Sequence, residues 1–574
     1  MSRLGPFSRV LAVSVALTLC AAVLLFAAAA LAQQPATQNS INSRVAANKV
    51  ALKKFVDAVN RLSPEVRRHL SRGLQNYLHY ANAVVNGGAL AGNLSTANFA
   101  SKNAKSNWNP WNMIPVSSPA LDPATQGYTQ NTTSSAWCGN TMVVGYEDSG
   151  ALFRSDPNGA FGVPTSVNGV SYSDNGGKTF TDLGLLTPGT SSGNALLGDP
   201  AVTCSSPAHF QYASLMTTTL DNVTWFIGPA VSFSANEGRS WSEPQQVVGL
   251  GSDQQMVDSP WLAVDPTDSQ RLYLSYTEMD FLGAACNGID MISSFDGGKK
   301  WNPPIVIDQE CPPTDPTAIQ NTVAGSSITV GSDGEVYVAY EFFPGALPSG
   351  PLNNEIKFAS SRNHGGAFSK PLRVANLVPN GTGTELCGHL QVYEYPHIAV
   401  DRSHGPSRGT IYVAYPDGRN KITADANCTG GTYAYPDIFV AKSINSGRTF
   451  SVLGAISPTP KDFGGIGRDQ FLPGVAVDKD GDVAVCYYDR RNDPADMRVD
   501  RFCSVSSNQG KTWTDRQVSN LQWLPSLNRD PLDPGYGISE YDALTSEFLL
   551  HGDGFFGAFL VEISGNQNVV ATKF

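Results

Sequence analysis

The spacing of apolar residues changes period part-way along this 574-residue chain. From Val45 to Leu62 the apolar positions Leu52, Phe55, Val56, Val59 and Leu62 recur at helical spacing. Ser63-Pro64-Glu65 predicts a second helix start, with Ser as N-cap, Pro at the first helical position and Glu near the positive end. Val66, Leu70, Leu74, Tyr77, Ala81 and Val84 carry the apolar stripe of that helix, and Gly87-Gly88 stops it. The expectation is a helical hairpin that packs as an appendage, with Lys53, Lys54, Arg67 and Arg68 on its solvated face. Residues 89–130, rich in Asn, Ser, Ala and Pro, read as a linker.

Beyond residue 130 the period shortens to two, and a strand–turn–strand unit repeats. Pro260–Asp265 is followed by Leu272–Tyr276, Pro396–Asp401 by Ile411–Tyr415, and Pro473–Asp478 by Val483–Tyr487. Looser copies lie at 134–146, 200–216 and 327–340, and a last one runs from Tyr541 to Leu560. Six of these seven hairpins are followed by an eight-residue phrase, Ser-x-Asp/Asn-x-Gly-x-Thr-Trp/Phe, degenerate at its seventh place. The copies begin at Ser173, Ser234, Ser294, Ser361, Ser443 and Ser506, at spacings of 61, 60, 67, 82 and 63 residues. The Asp/Asn side chain closes a turn onto backbone N–H groups, the Gly supplies positive φ, and the aromatic starts the next strand. A hairpin plus a phrase makes four strands. A period this long, with four strands per unit, predicts radial or stacked β architecture.

The phrase resembles the Asp box (BNR repeat) of the sialidase superfamily of β-propellers, and the resemblance covers about residues 130–574. It implies an all-β propeller in which the phrase is a structural staple away from the active face. Six units are complete in the sequence. The seventh hairpin with Asn568–Lys573 supplies three strands, and a strand from 110–130 is expected to supply the fourth and close the ring. Seven blades is the favoured count and six, as in sialidases, the alternative.

Composition narrows the setting. A net charge of −11 and the absence of a basic, aromatic-studded stretch argue against nucleic-acid binding. Arg3 and Arg9, the apolar run Val10–Leu31 and Ala30-Leu31-Ala32 before Gln33 predict an export segment over 1–32, with an uncleaved anchor as the lesser reading. The domain plan is then 1–32 signal peptide, 33–110 hairpin and linker, 111–574 propeller. Nine cysteines less Cys20 leave eight, an even number that suits disulfides in an exported chain. Pairing between neighbours gives Cys138–Cys204, Cys286–Cys311, Cys387–Cys428 and Cys486–Cys503, although sequence leaves the connectivity open. Histidines 209, 389, 397 and 551 form no ligand pattern, and Asp478-Lys-Asp480-Gly-Asp482 reads as a hairpin turn. No metal or cofactor is expected, a structural calcium ion being the alternative.

Strands in such a unit alternate direction, so loops sort onto two faces. The face opposite the phrase receives Glu147-Asp148, Glu278 with Asp280, Glu341, Asp417 with Arg419, and Asp489-Arg490-Arg491 from the ends of second strands. Asp199, Asp258, Tyr393-Glu394-Tyr395, Arg468-Asp469 and Glu540-Tyr541 reach it from the approaches to the first strands. Strand-end capping and blade-to-blade ion pairing are the structural explanations for the same residues. The sialidase resemblance implies a glycosidase with a Tyr nucleophile. On that reading Arg419, Arg490 and Arg491 grip a substrate carboxylate and Tyr395 or Tyr541 is the nucleophile. Glu394 or Glu540 activates it, and Asp148 is the general acid. Arg490 is expected to serve structure and Arg491 to face ligand. The triad phrase of sialidases, Phe/Tyr-Arg-Ile-Pro, has its nearest counterpart in Phe153–Pro157, without the Ile-Pro. The expected partner is a glycan or glycoprotein for an exported monomer acting on terminal acidic sugars. A non-catalytic propeller binding glycan or protein at the cell surface is the alternative.

Overall fold

Every inner strand is answered by an antiparallel neighbour in the computed structural model, and the chain is nearly all β. The structure describes residues 49–50, 52–62, 67, 69–86, 104–105, 113–118, 129–149, 166–189, 194–219, 225–248, 255–280, 286–314, 320–345, 354–380, 385–425, 431–457, 467–525, 538–563 and 566–574. The expected export segment, Phe153–Pro157 and Cys428 lie outside them. No helix among the described residues is long and apolar enough to cross a membrane. Lys49–Phe574 form one compact unit.

The first sheet runs outward as Gln130–Cys138, Thr141–Asp148, Asn168–Ser173 and Thr181–Leu185. Corresponding inner strands are Ala201–Cys204, Gln255–Asp265, Thr322–Val330, His397–Val400, Gln470–Val477 and Leu544–Ser546. The second and third sets are joined by a parallel contact, Ile227 to Met256, into one nine-stranded sheet. Ile114–Pro115 pairs with Asn566–Lys573, so a strand from the segment before the first sheet completes the last one. All these inner strands line one cavity of about 180 Å³.

Each sheet shares an apolar core with the next. Val143 and Val170 of the first pack with Val202 and Phe210 of the second, and Ile289 and Met291 of the third with Ile328 and Val338 of the fourth. The pattern continues through Ile356 with Val413 and Val440 with Val485. Phe556 and Val569 of the last sheet meet Met142 and Val144 of the first. Polar ties follow the same path: Val202 N donates to Ser134 Oγ (2.9 Å) and Ala543 N to Thr133 Oγ1 (2.9 Å). Disulfides Cys138–Cys204, Cys286–Cys311 and Cys486–Cys503 join neighbours in the order of the chain. Cys387 is also disulfide-bonded.

The recurring phrase closes the same way six times. In the first copy Ser173 Oγ accepts Gly177 N (3.0 Å), Asn175 Oδ1 accepts Thr179 N (3.1 Å), and Gly177 sits at φ 81°. The equivalent Ser-to-Gly bonds recur at Ser234, Ser294, Ser361, Ser443 and Ser506. The closing aromatic is buried at Phe180 but only half-buried at Trp241, Trp301, Phe368, Phe450 and Trp513. Asp478 Oδ1 accepts the N–H groups of Asp480 and Asp482, which makes that acidic stretch a turn between two strands.

The helical hairpin packs its stripe inward. Leu52, Phe55, Val56, Val59, Leu62, Leu70, Leu74, Tyr77 and Ala81 enter the core shared with Leu197, Leu215, Ile227, Met256 and Leu274 of the second and third sets. A helix runs from Arg72 to Asn86, and the Ser63-Pro64-Glu65 start lies outside the described residues. Ser71 is the N-cap, its Oγ accepting Leu74 N (3.3 Å).

Candidate functional site

Several inner strands break their ladder at the same level. Register shifts fall at Asn131/Ser134, Asp258/Trp261, Ala324/Ser327 and Phe471/Gly474. Thr132, Ser259 and Leu472 take φ of 48°, 50° and 52° there, and Asp199 on the approach to the second inner strand takes 54°. Positive φ in such residues costs about 1–3 kcal/mol each and persists only where surroundings over-determine it. The bulges re-aim the residues beside them, and Asp199 and Asp258 are turned into a common buried cluster with Glu147 and Glu540.

The cluster is poor in partners. Asp199 N donates to Glu147 Oε1 (3.0 Å), and Ser259 N to Asp199 Oδ2 (3.2 Å), while Asp199 Oδ1 has no hydrogen bond among the described residues. Glu540 is 2% exposed, and neither of its carboxyl oxygens has one. Burial pushes Glu540 and Asp199 well above the ordinary carboxyl range, and the neighbouring carboxylates add to it. Asp258 is raised by burial and moderated by hydrogen bonds from Ser71. Nearby, Glu341 is raised well above its ordinary value by burial and by Glu394, whose Oε1 accepts Asn380 N (2.9 Å). The direction is the same for each, because several charges cannot share one dry site.

The mouth over this cluster is filled by the chain's own hairpin. Ser71 N donates to Asp258 Oδ2 (2.8 Å), Tyr393 OH to Leu70 O (3.0 Å) and Tyr395 OH to His69 O (2.9 Å). Gln75 Nε2 donates to Tyr393 OH (2.8 Å), and the two tyrosine rings, on one face of an extended segment, stack at 5.1 Å. His69 lies tilted against Phe343, ring centroids 3.8 Å apart, and Arg72 is 4% exposed, its charge felt by Glu540. The positive end of the helix therefore meets the carboxylates.

Of the residues expected at the site, Glu394, Tyr395, Glu540 and Tyr541 gather with Asp199, Asp258 and Glu341. Tyr541 OH donates to Pro200 O (2.9 Å). Asp148 turns to the other face of its strand, where Gln130 Nε2 donates to it (3.1 Å), and Glu147 takes the place in the cluster. The arginines stand apart from the cluster, each paired with an acid. Arg490, 1% exposed, pairs with Asp469 at 2.8 Å. Arg491 Nε donates to Asp489 (2.7 Å), and its other nitrogens to Asp515 (2.8 Å) and Ser457 (2.7 Å). Arg419 Nε donates to Asp417 (2.9 Å), and its terminal nitrogen reaches Asn376 O. Residues 69–75 were outside the expected site. Their signal in the sequence is Ser71-x-Gly73, a cap and a small residue inside an otherwise helical stripe.

No family model matches this chain, and no curated protein does. Among solved structures it is similar to an ulvan lyase, a polysaccharide lyase, at 10% identity and TM-score 0.47, over 78% of this chain and 94% of that one. It is also similar to an α-L-arabinanase of Penicillium chrysogenum solved with arabinobiose (12%, TM-score 0.42, 82% and 98%). A Hadza microbial sialidase matches at 13% and TM-score 0.40, over 84% and 98%.

Proposed function

We propose that the protein is an exported glycan-acting β-propeller of seven blades, a glycoside hydrolase of the sialidase-like kind working at the Glu147–Asp199–Asp258–Glu540 pocket. The observation that carries this is Glu540, a carboxyl buried without a hydrogen-bond partner among the described residues and held above its ordinary pKa by burial and its acidic neighbours. A carboxyl kept protonated in a dry site is what a glycosidase needs to give a proton to a departing glycosidic oxygen. Glu540 is then the general acid. Tyr395, once its hydroxyl is released from His69 O, is the nucleophile that the sialidase resemblance implies. Disulfides, one joining the first two sets of strands and others within a set, suit an oxidising compartment and support export. The seven-blade count draws its support from the shared cavity and from the core and hydrogen bonds that join the last sheet to the first. The segments 1–32, 33–110 and 111–574 are its parts on this reading.

The substrate is a glycan. A terminal acidic sugar would require an arginine with a free fork, and Arg419, Arg490 or Arg491 would first have to leave its own carboxylate. The test is a panel of chromogenic glycosides, neutral, amino and acidic, with the purified full chain and Glu540→Gln. Glu540→Gln is expected to lose about 100-fold or more in kcat/KM while melting as the wild type does. Undiminished turnover in that variant would remove Glu540 from the chemistry. The non-catalytic reading is favoured by one observation, the covered mouth, and a panel that stays silent even with the mouth uncovered would select it.

A further inference from the structure

We propose that residues 69–77 are a displaceable plug: the hairpin's capped helix start occupies the acidic mouth as a built-in ligand and shuts other ligands out until it swings away. This rests on the glycan-acting reading only for what the mouth does once open; the plug itself stands on contacts.

The segment that enters the mouth spends several of its polar groups on the propeller. Two backbone carbonyls, of His69 and Leu70, accept from Tyr395 and Tyr393, and the Ser71 N–H donates to Asp258. Gln75 adds a side-chain bond to Tyr393. A packing appendage needs only its apolar stripe, and Leu52, Phe55, Val59 and Ala81 supply that outside this segment. The groups that hold the mouth segment are instead those a ligand would use: two tyrosine hydroxyls and a carboxylate. Arg72 brings a positive charge and the helix its positive end to a cluster otherwise made of acids. Underneath, Glu540 and Asp199 keep unbonded oxygens, so the plug covers the pocket without satisfying it. Contacts that leave carboxyl oxygens of the pocket without a hydrogen bond among the described residues are contacts a better ligand or a partner can replace.

Gly73 gives the seat its weak point. A Cβ at this position would lie 1.9 Å from Leu197 O and 3.0 Å from Leu197 C, backbone atoms with no rotamer to yield. Alanine is the better helix former. Gly73→Ala therefore unseats the segment without weakening the helix and without substituting any propeller residue. Gln75→Ala, which only removes the bonds to Tyr393 and Leu70, is the milder second variant.

The experiment uses the full chain and two readouts. Carbodiimide with glycine ethyl ester labels accessible carboxyls, located by mass spectrometry, and hydrogen exchange follows the amides of 71–77. The wild type is expected to leave Asp199, Asp258 and Glu540 unlabelled and to exchange slowly at 71–77. Gly73→Ala is expected to raise labelling and exchange by about tenfold or more, Gln75→Ala by less, with the melting of the sheets retained. Glycoside turnover is then expected to rise with labelling. Full labelling of the wild type would overturn the plug. So would a Gly73→Ala chain, or a Gln75→Ala chain if the first fails to fold, that labels and exchanges as the wild type does. Labelling that rises while every glycoside stays uncut keeps the plug and overturns the hydrolase reading instead.

Discussion

Replacing Arg490 with Ala removes a buried cation from a site that was built for it. Its guanidinium lies 2.8 Å from Asp469 with both side chains at 1% exposure or less, beneath the Phe471 ring at 5.6 Å. At an effective dielectric constant of about 20, a pair at that separation gains about 6 kcal/mol before desolvation is counted. The net loss on breaking a buried pair is about 3–5 kcal/mol, most of it the cost of a carboxylate left alone. Asp469 is already raised by burial, the Arg490 charge does most to pull it back down, and Asp496 is buried beside it. Without Arg490 it rises further, so the folded variant binds a proton that the unfolded chain has released. Stability of Arg490→Ala should therefore fall as pH rises above the unfolded carboxyl value of about 4. The deficit against wild type should be smallest in acid and widest near neutrality. Thermal melting at pH 5 and pH 8 reads both effects, and a chain this long gives a shift of about 5 °C. A melting temperature within 1 °C of wild type at both pH values would refute the argument, since no buried pair would then have been broken.

The wild type carries its own pH signature. Asp182 is raised to about 7 and Asp290 to about 8, both first by burial. Their stabilisation is complete below the unfolded carboxyl values and is lost as pH rises through about 7 to 8. His397, lowered to about 4 chiefly by burial, acts in the opposite sense below its unfolded value of about 6.5. Melting should hence rise on going from pH 8.5 to 6.5, and Asp290→Asn should flatten that slope; equal slopes in variant and wild type would count against Asp290. Trp513, half-buried against Leu453, should cost about 1.5–3 kcal/mol on Trp513→Ala, below the 3–5 of a fully buried aromatic, as measured by urea unfolding.

What the chain order alone determined about this protein is what few neighbouring residues can settle. The eight-residue phrase closes on itself, Ser173 to Gly177 and Asn175 to Thr179, so its geometry was legible wherever its letters recur. The strand pairs follow from period-two alternation and the helical stripe from period 3.6. The site followed a different rule. Glu147 rather than Asp148 joined the acidic cluster because adjacent residues on a strand face opposite ways, and only packing decides which way is inward. The three arginines found acids of their own, Arg419 and Arg491 two residues back in the chain and Arg490 across the strand pair at Asp469. The mouth itself is closed by bonds between residues 187 and 326 positions apart, Ser71 to Asp258 and Tyr395 to His69. Contacts that distant are set by where the sheets place their ends, so the tertiary structure alone decided what lies over the carboxylates.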